Sequence, residues 1–164
     1  MKLIRFLPAV ALTALITGTA SAQSTTAQAT VTYSVTDTKS IAVSGDPGAM
    51  SVSAGGSGAT ATENTTTYDV TTNAAPASPA KITAQLGSAM PTGVTLSVDL
   101  ADPDGAGAAT SAGSVALSDA AATDVVTNIS NLDAPGNTIT YSLAATAAAS
   151  AASNNTVVVT YTIQ

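Results

Sequence analysis

Val94-Thr95-Leu96-Ser97-Val98-Asp99-Leu100 is the stretch that decides the fold. Four large aliphatic residues occupy every second position, and the three residues between them, Thr95, Ser97 and Asp99, can hydrogen-bond to water. In an extended strand, successive side chains point to opposite faces, so this segment presents one apolar face and one wet face. On a helix the same four residues would scatter around the cylinder.

The period of two recurs along the chain. Val31, Tyr33 and Val35 alternate with Thr32, Ser34 and Thr36, which predicts a strand over residues 30–36. Ile41 and Val43 follow, then Met50 and Val52, Tyr68 and Val70, and Ile82, Ala84 and Leu86. After the 94–100 stretch come Val115 and Leu117, then Val125, Thr127 and Ile129, then Ile139, Tyr141 and Leu143. Val157, Val159, Tyr161 and Ile163 close the series in an uninterrupted strand over residues 156–164. Turn-forming runs separate these segments. They include Gly45-Asp46-Pro47-Gly48, Gly55-Gly56-Ser57-Gly58, Pro91-Thr92-Gly93, Asp102-Pro103-Asp104-Gly105 and Ala134-Pro135-Gly136-Asn137. Residues 144–152 carry no large apolar side chain and read as a loop joining the last two strands. About nine short strands with such turns predict an all-β chain, an antiparallel Ig-like or jelly-roll-like β-sandwich over residues 30–164.

The first residues have another character. Lys2 and Arg5 precede an apolar run over residues 6–16, and Ala20-Ser21-Ala22 has the form of an A-x-A cleavage site. This pattern predicts a secretory signal peptide over residues 1–22, cut between Ala22 and Gln23. The protein is then exported to the periplasm, the cell surface or the extracellular space. Residues 23–29 are polar and lack bulk, and read as a flexible arm.

Loss of Lys2 and Arg5 with the signal leaves Lys39 and Lys81 against ten acids, a net charge of −8. Such a chain repels nucleic acid and anionic membranes, and it has no lysine or arginine cluster to displace counterions. No second apolar stretch approaches membrane-spanning length, so the mature chain is expected to have no membrane span. There is no Trp and the one Phe lies in the signal, so the core must be built from Val, Ile, Leu and the tyrosines Tyr33, Tyr68, Tyr141 and Tyr161. There is also no Cys to staple the fold.

Catalytic chemistry finds little to use. Without His or Cys there is no Ser-His-Asp or Cys-His nucleophile and no imidazole base or ligand. A glycosidase needs paired carboxylates in a cleft, and the lone Glu63 sits in a polar segment. The chain is therefore expected not to be an enzyme. Asp99, Asp102 and Asp104 around a Pro-Asp-Gly turn gather hard oxygen ligands of the kind calcium takes, without the full EF-hand spacing. A solvated turn closing a strand is the plainer reading of the same residues. Lys39, Lys81 and Glu63 raise a second idea, a Lys–Asn amide cross-link promoted by a carboxylate. Ordinary surface lysines are the plainer reading.

Tyr68-Asp69-Val70-Thr71-Thr72-Asn73, Met90-Pro91-Thr92-Gly93-Val94-Thr95-Leu96 and Thr156-Val157-Val158-Val159-Thr160-Tyr161-Thr162-Ile163 resemble the sequence style of small bacterial exported β-sandwich proteins. The style is loosely similar to WxL-type surface domains and to fimbrial subunits, although the W-x-L element and paired cysteines are missing. The resemblance implies a sheet fold at the cell surface. The leading expectation is a non-enzymatic structural subunit of a surface fibre, coat or matrix, associating with itself or other surface proteins through β-strand edges. The alternative is a monomeric secreted module that binds an extracellular ligand such as a polysaccharide.

Overall fold

The computed structural model describes residues 26–53, 59–103 and 108–164. The signal-peptide stretch 1–22, residues 23–25 of the arm, the turn at 55–58 and Asp104 with Gly105 lie outside the described residues. By its contacts the chain divides into Met1–Ser34 and Val35–Gln164. Residues 26–34 of the first unit are exposed and have no regular structure.

The second unit is all-β. Among the described residues there is no helix, and thus none long and apolar enough to cross a membrane. Its strands are β1 (Lys39–Ser44), β2 (Ala59–Thr72), β3 (Ala80–Leu86), β4 (Val94–Leu100), β5 (Thr110–Ser111), β6 (Val115–Ala116), β7 (Thr123–Ile129), β8 (Leu132–Ala145) and β9 (Val159–Ile163). They form two antiparallel sheets, one ordered β1-β2-β8-β4-β6 and the other β5-β7-β3-β9. One apolar cluster lies between them, the layout of a β-sandwich. Its fully buried members include Tyr68 and Val70 of β2, Ile82 of β3, Val98 and Leu100 of β4, and Ile139 of β8. From β2 onward every connection passes from one sheet to the other.

The 94–100 stretch behaves as its alternation requires: Leu96, Val98 and Leu100 are buried and Thr95 is exposed. A loop joins β8 and β9 as expected, but over residues 146–158 rather than 144–152: Ala144 and Ala145 pair within β8, and the strand expected over residues 156–164 is regular only over Val159–Ile163. Other readings also need correction. Residues 30–36 do not form a strand. Alternation fixes which side chains share a face, but it supplies no partner, and backbone pairing to β2 begins only where Asn73 N–H donates to Thr38 O.

Ala134-Pro135-Gly136-Asn137 is not a turn between strands but a bulge inside β8, where Tyr68 faces Asn137 and Val70 faces Ala134. Gly136 takes the left-handed φ of +72° this needs, its N–H donates to Asp69 Oδ1 at 2.7 Å, and the Asn137 amide donates to Ala134 O at 2.9 Å. Side-chain groups thus satisfy backbone that the ladder cannot.

In β7, Val125 and Val126 are both buried, along with Ile129, which breaks the 125–127–129 phase. Register shifts around Ile82 in the β3–β7 pairing mark the irregularity that turns both valines inward.

Candidate functional site

A sandwich has sheet edges, and each edge strand offers unpaired backbone groups to any passing chain. Here the edges are β1 and β6 of one sheet and β5 and β9 of the other. β5 and β6 are two residues long, too short to template pairing. β1 carries Lys39, which pairs with Asp37 at 3.4 Å, and charge on an edge discourages addition. β9 has no such protection. Residues 156–164 contain no charged side chain.

The register defines what β9 presents. Lys81 and Gln164 exchange N–H to C=O bonds at 3.1 and 2.9 Å, and Gly87 N–H donates to Val158 O at 2.8 Å. Alternate residues therefore bond to β3. The N–H and C=O groups of Val159, Tyr161 and Ile163 point away from β3, along the free edge. Their side chains face the core but stay half-exposed, whereas Ile82 and Ala84 of the neighbouring β3 are fully buried. Within its sheet β9 is paired on one side only, and β1 of the other sheet is the strand that lies close to it.

Beside this edge lies a groove of about 1550 Å³. Leu96, Leu143 and Tyr141 line it from β4 and β8, Ile41 and Val43 from β1, and Tyr161 from β9. The loops around residues 45–53 and 149–158 also border it. The Tyr161 hydroxyl donates to the Tyr141 hydroxyl oxygen at 3.0 Å, so each tyrosine keeps a polar partner at its tip. Burial pushes both hydroxyl pKa values up, as it does that of Tyr68, whose hydroxyl donates to Ala101 O at 2.6 Å. Gly93 holds one wall. Its carbonyl accepts from Thr146 N–H at 2.8 Å and fixes the start of the 146–158 loop.

Residues 30–36 are a feature of their own. Val31, Tyr33 and Val35 are 80%, 85% and 77% exposed. Fully burying a side chain such as valine is worth about 1.5–3 kcal/mol, so three of them in water forgo a large stabilisation. The segment ends at a firm anchor. The Asn73 amide donates to Thr36 O at 2.7 Å, and its Oδ1 accepts from Thr38 N–H at 2.7 Å. One side chain thus does the work of a strand partner for residues 36–38.

Of the acidic turn, Asp99 accepts from the Ser111 hydroxyl at 3.2 Å, and Asp102 accepts from Ser111 N–H. Ser111 draws these two carboxylates together; Asp104 lies outside the described residues. Among the described residues, no three His, Cys, Asp or Glu side chains converge as a metal site requires.

Lys39, Lys81 and Glu63 are not brought together. Lys81 pairs with Asp124 at 2.9 Å, Lys39 pairs with Asp37, and Glu63 accepts from Thr65 N–H at 2.8 Å. Hydrogen bonds from the Thr65 side chain first, and then from its N–H, hold the Glu63 carboxyl below its usual range.

Sequence reading placed Val31, Tyr33 and Val35 in the core and did not single out Asn73. Its bonds to Thr36 and Thr38 span 37 and 35 residues, and no local pattern announces them. Comparison of the chain with known protein families, curated proteins and solved structures finds no match.

Proposed function

We propose that this protein is a non-enzymatic, exported structural subunit of a surface fibre, coat or matrix, and that it assembles through β-strand edges. One observation carries the reading: an edge strand without charged side chains, β9, occurs in the same chain as a β-patterned segment whose apolar side chains lie in water. Export rests on the basic start, apolar run and A-x-A site of residues 1–22, with cleavage after Ala22. It puts the protein in the periplasm, at the surface or outside the cell. The sandwich is of the Ig-like or jelly-roll-like kind, in keeping with the resemblance to WxL-type and fimbrial domains.

The test is size-exclusion light scattering with negative-stain microscopy on the exported protein, with and without calcium. Filaments or large ordered oligomers are the expected result. A concentration-independent monomer in both conditions refutes the reading. Calcium enters because Asp99, Asp102 and Asp104 form the one acidic turn with a ligand-like composition.

The groove of about 1550 Å³ favours one alternative, a monomeric secreted module binding an extracellular ligand such as a polysaccharide. Binding on a glycan array by a strict monomer is the result that would select it.

A further inference from the structure

We infer that the groove bordered by β1, β4, β8 and β9 binds an uncharged long-chain ligand whose end carries a hydrogen-bond-accepting oxygen, a fatty alcohol or ester. The inference concerns a single copy of the chain, and it goes beyond the assembly reading.

The groove is where the core lacks full cover. Most of the partly buried apolar side chains packed around the core line it, among them Met50, Met90, Leu143 and Val157. Val43 at its border is 38% exposed. An apolar guest supplies the contact that such side chains lack. Met50 and Met90 are the only methionines after Met1, and both lie here. Methionine is unbranched and polarizable, so it repacks around guests of varied shape. The volume of about 1550 Å³ is ample for a long chain.

The polar groups of the lining restrict the other end of the ligand. Tyr141 is only 4% exposed, and its hydroxyl oxygen accepts from the Tyr161 hydroxyl at 3.0 Å. Its own proton has no acceptor among the described residues. Burial raises the Tyr141 pKa and the charge of Asp46 adds to it, so the hydroxyl keeps that proton at neutral pH. A buried donor of this kind calls for an acceptor, and a ligand oxygen provides one.

Asp46 is the one charged side chain among the described lining residues. Lys39 and Lys81 pair with Asp37 and Asp124, and neither lysine lines the groove. A carboxylate or phosphate head group therefore meets an acid with no cation to offset it. An ammonium head group suits Asp46 but cannot accept the Tyr141 proton. An uncharged oxygen satisfies both residues.

The test uses the exported protein and three probes with the same ten-carbon chain: 1-decanol, decanoate and 1-decanethiol. Each is titrated by calorimetry at neutral pH, below the concentration at which it aggregates. The expected result is one 1-decanol per copy, bound about fivefold more tightly than 1-decanethiol, whose sulfur is a poor acceptor. Decanoate should bind more weakly than 1-decanol. Asp46→Asn should narrow the gap between those two by about twofold. Asp119→Asn makes the same change in net charge outside the groove and should leave the gap as it is. The double variant Tyr141→Phe/Tyr161→Phe removes both hydroxyls, and it should bind 1-decanol and 1-decanethiol alike. If that variant binds neither probe it has lost the groove itself, and the preferences of the unaltered protein and of Asp46→Asn decide the matter. Failure of 1-decanol to bind, equal binding of the three probes, or equal effects of the two aspartate variants overturns the inference. Light scattering of the same samples reports assembly separately, so that failure leaves the subunit reading standing.

Discussion

Replacing Gly93 by alanine probes how the 146–158 loop is held against the groove. Gly93 has φ +78°, a left-handed conformation that costs a residue with a side chain about 1–2 kcal/mol. A Cβ there would also stand 2.6 Å from Ala149 N and 2.9 Å from the Ala148 carbonyl carbon, both backbone atoms that cannot rotate aside. Forcing such a shift adds about 1–3 kcal/mol, giving roughly 2–5 kcal/mol in total. Gly45 supplies the control. Its φ is +67° but nothing lies within 4 Å of its would-be Cβ, so Gly45→Ala should cost only the conformational part, about 1–2 kcal/mol.

At about 2.1 cal/mol/K per residue, unfolding Val35–Gln164 carries an entropy near 0.27 kcal/mol/K, so each kcal/mol lowers Tm by about 4 °C. Scanning calorimetry should show Gly45→Ala melting about 4–8 °C low and Gly93→Ala about 8–18 °C low. Limited proteolysis should cut the Gly93→Ala protein faster within residues 150–158. Equal Tm shifts for the two variants would refute the claim that the loop rests directly on Gly93.

Other outcomes follow from side chains already described. Tyr161→Phe removes the hydroxyl that donates to Tyr141 and should lower stability by about 1 kcal/mol in urea unfolding; an unchanged midpoint would mean the pair does not form. Burial raises the pKa values of Tyr68, Tyr141 and Tyr161. In the unfolded chain tyrosines ionise near pH 10, so the stability these groups contribute is complete below about pH 10 and is lost as the pH climbs toward their folded-state values. Urea midpoints should therefore fall as the pH rises above about 10, with tyrosinate absorbance rising as the fold is lost; these three titrating near pH 10 in an intact fold would count against their burial. Asn73→Ala should speed amide exchange at Thr38 by at least about tenfold while Val98 and Ile139 keep their protection, and uniform loss of protection would show that Asn73 supports the whole sheet rather than one segment.

The two-sheet architecture was legible because most core residues sit two apart. Leu96, Val98 and Leu100 could be assigned to one face from their spacing alone. The bulges were not legible. Ala134-Pro135-Gly136-Asn137 has turn chemistry whether the chain reverses there or merely bows outward, and only the partner residues Tyr68 and Val70 distinguish the two. Residues 30–36 show the same limit in reverse. Their pattern reports fitness for a sheet, and the sheet that accepts them is a separate matter. The exposure of β9 could not be read from its own residues either. Being an edge is a property of strand order, fixed by β3 and β7 far away in the chain.

Strand order also dictates when the molecule can fold. β9 pairs with β3 through residues 79 apart in sequence, such as Thr83 and Thr162, and only β1 and β2 are both consecutive and paired. Almost no sheet contact is local, so loop-closure entropy must be overcome before most pairings form, and chains of this contact order fold slowly. A chain leaving the ribosome cannot complete β5-β7-β3-β9 until β9 has emerged. The fold therefore has little means of closing early, and its four-stranded sheet stays incomplete for as long as β9 is withheld.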